Sequence, residues 1–455
     1  MFTNKLVLPF QNLSKFLGNE KITLRKKQDR TLAADVQSVL SYRELINAKT
    51  NNVFDQTRIL GIVAAAQGAE SYLPYTIPKI IQQISAIGMM ADIVIGLNNG
   101  FVCPSVVNSF SLLPNVQVIH LYTGEKVANN IPALIFDNLS CKGEQYLINN
   151  FEHNESQHRI FILHQKPGKF AAGKIRVLGD IYGSLLLKSI NNGWIPPRIL
   201  VNFDAESQFL VEDSDAPIDL ESNGLELIIK QLHTCPNIDI LGTRIKYAVY
   251  ENATLNGFEV LLPNLKEQLP PIQWFLDMNH GRFSGFMYKP GGGTFGKSDV
   301  MISLLLVISQ KYPGVRCEDT QVTVLANHAN FIGDIFLDVI STNKTPSMTD
   351  MTLEQPAKKA WIEQMYRWTA STYGLKLLYG EHNVKMFADD GFPWFVLTNS
   401  FAFIKKVMGN EKINLYIIFK KLIFLTIAFL SSRQISKRSR KNPDVLQGCE
   451  AKAFW

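Results

Sequence analysis

Five short runs of branched and apolar residues constrain the fold of this chain more than any other feature. They are Ile59–Ala66, Asp92–Leu97, Val116–Leu121, Arg159–Leu163 and Ile199–Phe203. Each has the length of a strand and the β-branched content that suits a pleated, buried position. Between them lie segments with helical spacing, among them Tyr75–Ile87, with Pro78 near its start, and Asp180–Ile190. Strands separated by helices form βαβ units, and these assemble into a mainly parallel sheet with helices on its faces. The expected fold class is α/β.

The last of these strands is followed by Asp204-Ala205-Glu206. Open α/β sheets bind ligands at the C-terminal edge of their strands, and two carboxylates there suit a divalent ion and an anionic ligand. Asp204 and Glu206 are therefore candidate ligands for Mg²⁺ or Mn²⁺ beside a diphosphate. A lone Asp-x-Glu equally suits a solvated strand end, so the flanking motifs matter.

Upstream, Lys166-Pro167-Gly168-Lys169-Phe170-Ala171-Ala172-Gly173-Lys174 lies between a strand and the Asp180 helix. Glycines allow close backbone approach, and lysines near a helix N-terminus receive phosphate, which makes Lys169 and Lys174 candidates for phosphate binding; a turn with solvated lysines is the other reading. The stretch is not a P-loop, because Gly168 to Gly173-Lys174 is followed by Ile175 and not by a metal-binding hydroxyl. Downstream, Lys289–Lys297 contains three consecutive glycines and reads as a tight turn, a close approach to a ligand or a flexible linker.

Glu318-Asp319 precedes the apolar-periodic segment Val322–Ala326. A carboxylate here serves either as a helix cap or as a general base for an attacking hydroxyl. Gln364-Met365-Tyr366-Arg367-Trp368 offers an arginine for bidentate phosphate pairing and a tryptophan face for a sugar ring, or an ordinary aromatic anchor on an amphipathic helix.

Composition narrows the function classes. With 455 residues, 46% of them apolar and 19% charged, the chain can build a large core, as two or three domains or as one large domain with appendages. A net charge of +6 is too diffuse to argue for nucleic acid. Cys103, Cys141, Cys235, Cys317 and Cys449 stand far apart, without zinc-ribbon spacing or a disulfide framework, which favours a reducing compartment. The first residues lack the uninterrupted apolar core of a signal peptide, so the main body is expected in the cytoplasm.

The ordered set of Gly-Lys loop, Asp204-Ala205-Glu206, glycine-rich turn, Glu318-Asp319 and Gln364–Trp368 resembles the family 2 GT-A glycosyltransferases. Within that family it is similar to the processive synthase-like branch that makes cellulose, chitin and hyaluronan. The likeness spans roughly residues 57 to 370 and implies a Rossmann-like GT-A sheet with a helical C-terminal region. It also implies roles. Asp204 contacts the nucleotide-sugar, and Glu206, where the family usually has a second Asp, binds the metal. Asp319 is the base that deprotonates the acceptor, with Glu318 beside it. Gln364, Arg367 and Trp368 line the acceptor and diphosphate side, and Glu70 matches the acidic residue near the nucleotide. One departure stands at Leu97-Asn98-Asn99-Gly100, where the family has an Asp-Asp-Gly-Ser sequence that recognises uracil. Asn98 brings an amide there, which donates as well as accepts and implies a nucleotide other than UDP or a different mode of binding.

The expected activity is metal-dependent, inverting transfer of a sugar from a nucleotide-sugar to a carbohydrate or other hydroxyl, in polysaccharide or glycan synthesis. A sugar-phosphate nucleotidyltransferase is the enzymatic rival, but Ala64-Ala65-Ala66-Gln67-Gly68 is a poor nucleotide loop for it. A catalytically idle nucleotide-sugar-binding protein at a membrane is the other. The expected domains are an N-terminal extension of loop and helix (1–55), the GT-A catalytic domain (56–345), acceptor-side helices (346–400) and an apolar, basic tail (401–455). Within them, Ile238–Leu241 and Ala248–Tyr250 read as two short strands, Ser298–Ser309 as a buried helix and Ser341–Gln355 as a flexible connection. In the tail, Ile413–Leu430 is apolar but split by Lys420-Lys421. About a dozen apolar residues favour insertion by roughly 6 kcal/mol, and two central lysines cancel that. With Arg433, Lys437, Arg438, Arg440 and Lys441 following, the tail suits an anionic cytoplasmic membrane surface, its lysines snorkelling.

Overall fold

The computed structural model describes residues 7–65, 72–97, 109–122, 147–148, 156–164, 174–211, 221–249, 293–312, 318–345, 370–371 and 374–384. Their centre is a nine-stranded sheet in the order β3-β4-β2-β1-β5-β8-β7-β9-β6. The strands are β1 (Asp55–Ala65), β2 (Met90–Leu97), β3 (Val116–Tyr122), β4 (His158–His164), β5 (Pro197–Phe203), β6 (Phe209–Val211), β7 (Ile240–Val249), β8 (Gly293–Lys297) and β9 (Gly333–Thr345). The block β3-β4-β2-β1-β5 is parallel throughout. Beyond it β8 runs antiparallel to both β5 and β7, β7 pairs parallel with β9, and β6 closes that edge antiparallel. The chain therefore has the expected α/β fold, a mostly parallel sheet flanked by helices.

Parallel strands covered on both faces read as nearly continuous apolar runs. All of β4 is buried, and so is β2 after its first residue. One face carries Leu60, Ile62, Val94, Phe161, Leu163 and Leu200. It packs beneath α3 (Lys174–Asn191), α5 (Ser298–Lys311) and α6 (Glu318–His328). Helix α3 starts at Lys174–Gly179, runs on through a π-helical stretch, Asp180–Leu187, and ends in Lys188–Asn191. The other face carries Ile59, Val63, Ile93, Ile95, Ile160 and Val201, beneath α2 (Leu73–Ala86) and α4 (Gly224–Thr234). Each fully buried Val, Leu or Ile is worth about 1.5–3 kcal/mol, so this two-faced core dominates the stability of the fold.

Toward the N-terminal ends of the parallel strands, a buried ionic triad ties them together. Asp92 of β2 accepts from Arg58 of β1 at 2.7 Å and from Arg159 of β4 at 2.6 Å, and all three side chains are almost wholly enclosed.

Several expectations are corrected. In the N-terminal extension the helical part is a single long helix, α1 (Val7–Thr50), with a turn after it. Its inner face places Leu32, Val39 and Ile46, seven residues apart, against the core. The helix after the Lys-rich loop begins at Lys174, not Asp180. The pieces expected as two strands near 240 and 249 are one, because the polar stretch between them also pairs with β9, across a register shift between Thr243 and Arg244. For the same reason Ser341–Thr345 belongs to β9 instead of to a flexible connection. The end of the glycine-rich stretch is strand β8, where glycine is needed for close packing: a Cβ at Gly293 would lie 2.5 Å from the Phe209 ring, and one at Gly296 2.7 Å from the Asp239 carbonyl. No helix among the described residues is long and apolar enough to cross a membrane, and the apolar tail after residue 400 lies outside them.

Candidate active site

Strand β5 delivers Asp204 to the C-terminal edge of the parallel block. The chain then turns sharply: the Ser207 amide donates to the Asp204 carbonyl at 3.0 Å, and the Asp204 amide to the buried Ser207 hydroxyl at 3.2 Å. This turn holds Ala205 in the core and leaves Asp204 and Glu206 half-buried at the rim.

Lys174, the first residue of α3, reaches across to this turn. Its Nζ lies 2.7 Å from Asp204 Oδ1 and 2.5 Å from Glu318 Oε1. Three residues far apart in sequence, from a helix start, a strand end and a second helix start, therefore meet at one ammonium. Burial alone would depress the lysine's pKa, but the Asp204 and Glu318 carboxylates outweigh it and hold the ammonium well above its ordinary range. Lys174 is a permanent cation here.

The two acidic residues of α6 divide in role. Glu318 is buried and held by Lys174. Asp319 alone among residues 318–326 is not fully buried. Its Oδ1 accepts from the Thr320 amide at 2.9 Å, at the positive end of the helix, where a carboxylate is favoured. Two groups not singled out from the sequence complete the surroundings. The Tyr182 phenol, from the π-helical stretch, is fully enclosed, and its hydroxyl makes no hydrogen bond with the described residues. Burial first, then the Glu318 carboxylate, push its pKa well up, with Lys174 opposing. Asn202, two residues before Asp204 on β5, has a buried amide oxygen without a hydrogen-bond partner among the described residues. Tyr182 lies on the same helix as Lys174, a signal that helical periodicity alone does not rank.

Farther along the same edge, His120 Nδ1 and His164 Nε2 stand 3.0 Å apart at the ends of β3 and β4. Burial lowers the pKa of His120 to about 4; burial and then its partner lower that of His164 to about 3. Both are neutral near pH 7.

The donor set suits a divalent ion only in part. Among the described residues no three His, Cys, Asp or Glu side chains form a metal-holding group. Mg²⁺ and Mn²⁺, however, are commonly held by one or two carboxylates together with substrate phosphates and water. Asp204 and Glu206 fit that requirement. Of the remaining candidates, Glu70, Asn98, Lys169, Gln364, Arg367 and Trp368 lie outside the described residues.

No protein-family model matches the chain, and no curated protein matches it. Among solved structures, the mannosyltransferase PcManGT from Pyrobaculum calidifontis, in complex with GDP-Man and Mn²⁺, is similar at 9% identity and a TM-score of 0.38, over 91% of this chain and 96% of that chain.

Proposed function

We propose that this chain is a metal-dependent, inverting glycosyltransferase of the GT-A type, moving a sugar from a nucleotide-sugar to an acceptor hydroxyl in polysaccharide or glycan synthesis. The observation that carries the reading is the meeting of Lys174, Asp204 and Glu318 at the C-terminal sheet edge, with Asp319 next to them and turned out of the core. In this reading the acceptor oxygen attacks the anomeric carbon from the face opposite the diphosphate. The bond from that carbon to the diphosphate oxygen breaks, its electron pair leaves with the diphosphate, and the hydroxyl proton passes to Asp319. Such a base contributes roughly 10²–10⁴-fold.

Glu318 takes no proton; it fixes Lys174, whose ammonium faces the charge that develops on the leaving group. Mg²⁺ or Mn²⁺ bound through Glu206 and Asp204 supplies further positive charge there. Lys169, Asn98 and Glu70 serve the donor, and Gln364, Arg367 and Trp368 the acceptor and diphosphate side. The basic, apolar tail holds the enzyme at the cytoplasmic face of a membrane.

The test is a panel of nucleotide-sugars with Mn²⁺, scored for diphosphate release. Release from one donor, dependent on an added hydroxyl acceptor, is expected. Silence across the panel, with no donor binding by calorimetry, rejects the reading.

A further inference from the structure

The N-terminal helix carries a buried carboxylate where its apolar stripe would otherwise continue. Asp35 lies between Leu32 and Val39 on the inner face of α1 and is 2% exposed. Enclosing a charge is costly unless several donors meet it, and an apolar residue often serves stability as well. Here three donors do meet it. Lys311 Nζ lies 2.8 Å from Oδ1, and the hydroxyls of Tyr312 and Tyr379 both donate to Oδ2, the latter at 2.9 Å. Burial, with Tyr312 and Asp35 beside it, holds the Tyr379 phenol protonated far above neutral pH.

The direction of these bonds matters. Tyr379 has one O–H, and it is given to Asp35, so its oxygen is left as an acceptor. That acceptor is met by Gln321 Nε2 at 2.9 Å. Gln321 is fully enclosed and sits on α6, three residues after Glu318. Residues three apart share one side of a helix. The same side is therefore pinned twice within one turn, at Glu318 by Lys174 and at Gln321 by Tyr379 and Asp35. Two pins on one side fix the rotation of a helix about its axis. With roughly 100° between successive residues, they dictate where Asp319 points.

We infer that Asp35, acting through Tyr379 and Gln321, is a positioning residue that sets the rotation of α6 and so presents Asp319 to the reacting hydroxyl, which makes the N-terminal helix part of the transfer site. The inference rests on the reading of Asp319 as the base. Misplacing a reacting group by about an ångström costs on the order of 10²-fold in rate, which gives the relay its leverage.

The experiment compares the full-length protein with Tyr379→Phe, which keeps the ring and removes the O–H, and with Gln321→Leu, which removes the last link. Gln28→Ala is the control, since Gln28 Nε2 joins α1 to the same C-terminal segment through the Leu377 carbonyl at 2.9 Å but at the surface. Hydrogen exchange of the amides of residues 318–323 is read against those of β1 and β5. Both relay variants are expected to speed exchange in α6 about tenfold while the strands hold. They are also expected to lower kcat about 10- to 100-fold with the donor Kd unchanged. Gln28→Ala moves none of these. Wild-type exchange in α6, or faster exchange spread evenly over the sheet, overturns the inference, as does a loss confined to donor binding. If the wild type transfers no sugar, the proposed function fails on its own, and the exchange pattern still decides whether the Tyr379–Gln321 relay that Asp35 holds anchors α6.

Discussion

An ammonium shared between two carboxylates, as at Lys174, is tolerated in a half-enclosed site only while all three charges are present. Lys174→Met leaves Asp204 and the enclosed Glu318 facing each other without a counterion. Breaking a buried pair costs about 3–5 kcal/mol, and because Lys174 is 26% exposed the loss is expected near or below the lower end. Urea denaturation reads this as a lowered midpoint at unchanged slope; an unmoved midpoint would mean that water replaces the lysine. At this scale the residue types were legible in the sequence. Asp204, Glu206, Glu318, Asp319 and Lys174 stand out as charged groups at strand ends and helix starts. What the sequence does not contain is the meeting of Lys174, Asp204 and Glu318, since that depends on how α3 and α6 pack on one sheet face. The division between a paired Glu318 and an outward Asp319 also appears only once α6 is rotated into place.

Helix α3 is seated on β2 through a glycine. A Cβ at Gly96 would fall 2.2 Å from Val177 Cγ1 and 2.9 Å from Ile181 Cδ1. Gly96→Ala is expected to cost about 1–3 kcal/mol, as overpacked cores do, and to weaken donor binding by lifting the helix that begins at Lys174. Calorimetry and urea melts on the same protein check both effects; tight donor binding with a lowered midpoint would separate the helix seat from the site. The ends of β3 and β4 give a pH prediction. The unfolded-state pKa of a histidine is near 6.5, and the folded values of about 4 and about 3 lie below it. Between those values the unfolded chain binds more protons, so stability is full above about pH 6.5 and is lost as the pH falls toward about 3. The difference in melting temperature between wild type and His164→Gln should therefore narrow on acidification; a constant gap would refute it. The central strands were legible because they are apolar on both faces. The polar ends of β7 and β9 were not, because each is a strand only by virtue of the other.

Across the whole molecule, the helix least readable from sequence proves to be a structural member. The stripe of α1 is diluted by polar residues, and its buried Asp35 breaks the apolar pattern, yet it packs along α5 and reaches α6. A second set of contacts, Arg43 with Asp299 at 2.8 Å and with Asp239 at 3.7 Å, ties α1 to the start of α5 and to the residue just before β7. The sheet edge presents Asp204, and helices α3 and α6 bring Lys174 and Glu318 to it, with Asp319 beside them. The most direct test of this arrangement is Asp319→Asn, assayed with the donor found in the nucleotide-sugar panel. Transfer is predicted to fall by at least about 10²-fold while calorimetric donor affinity stays within about twofold. Turnover equal to the wild type would contradict the account, because the site would then have no use for the one acidic side chain that α6 turns outward.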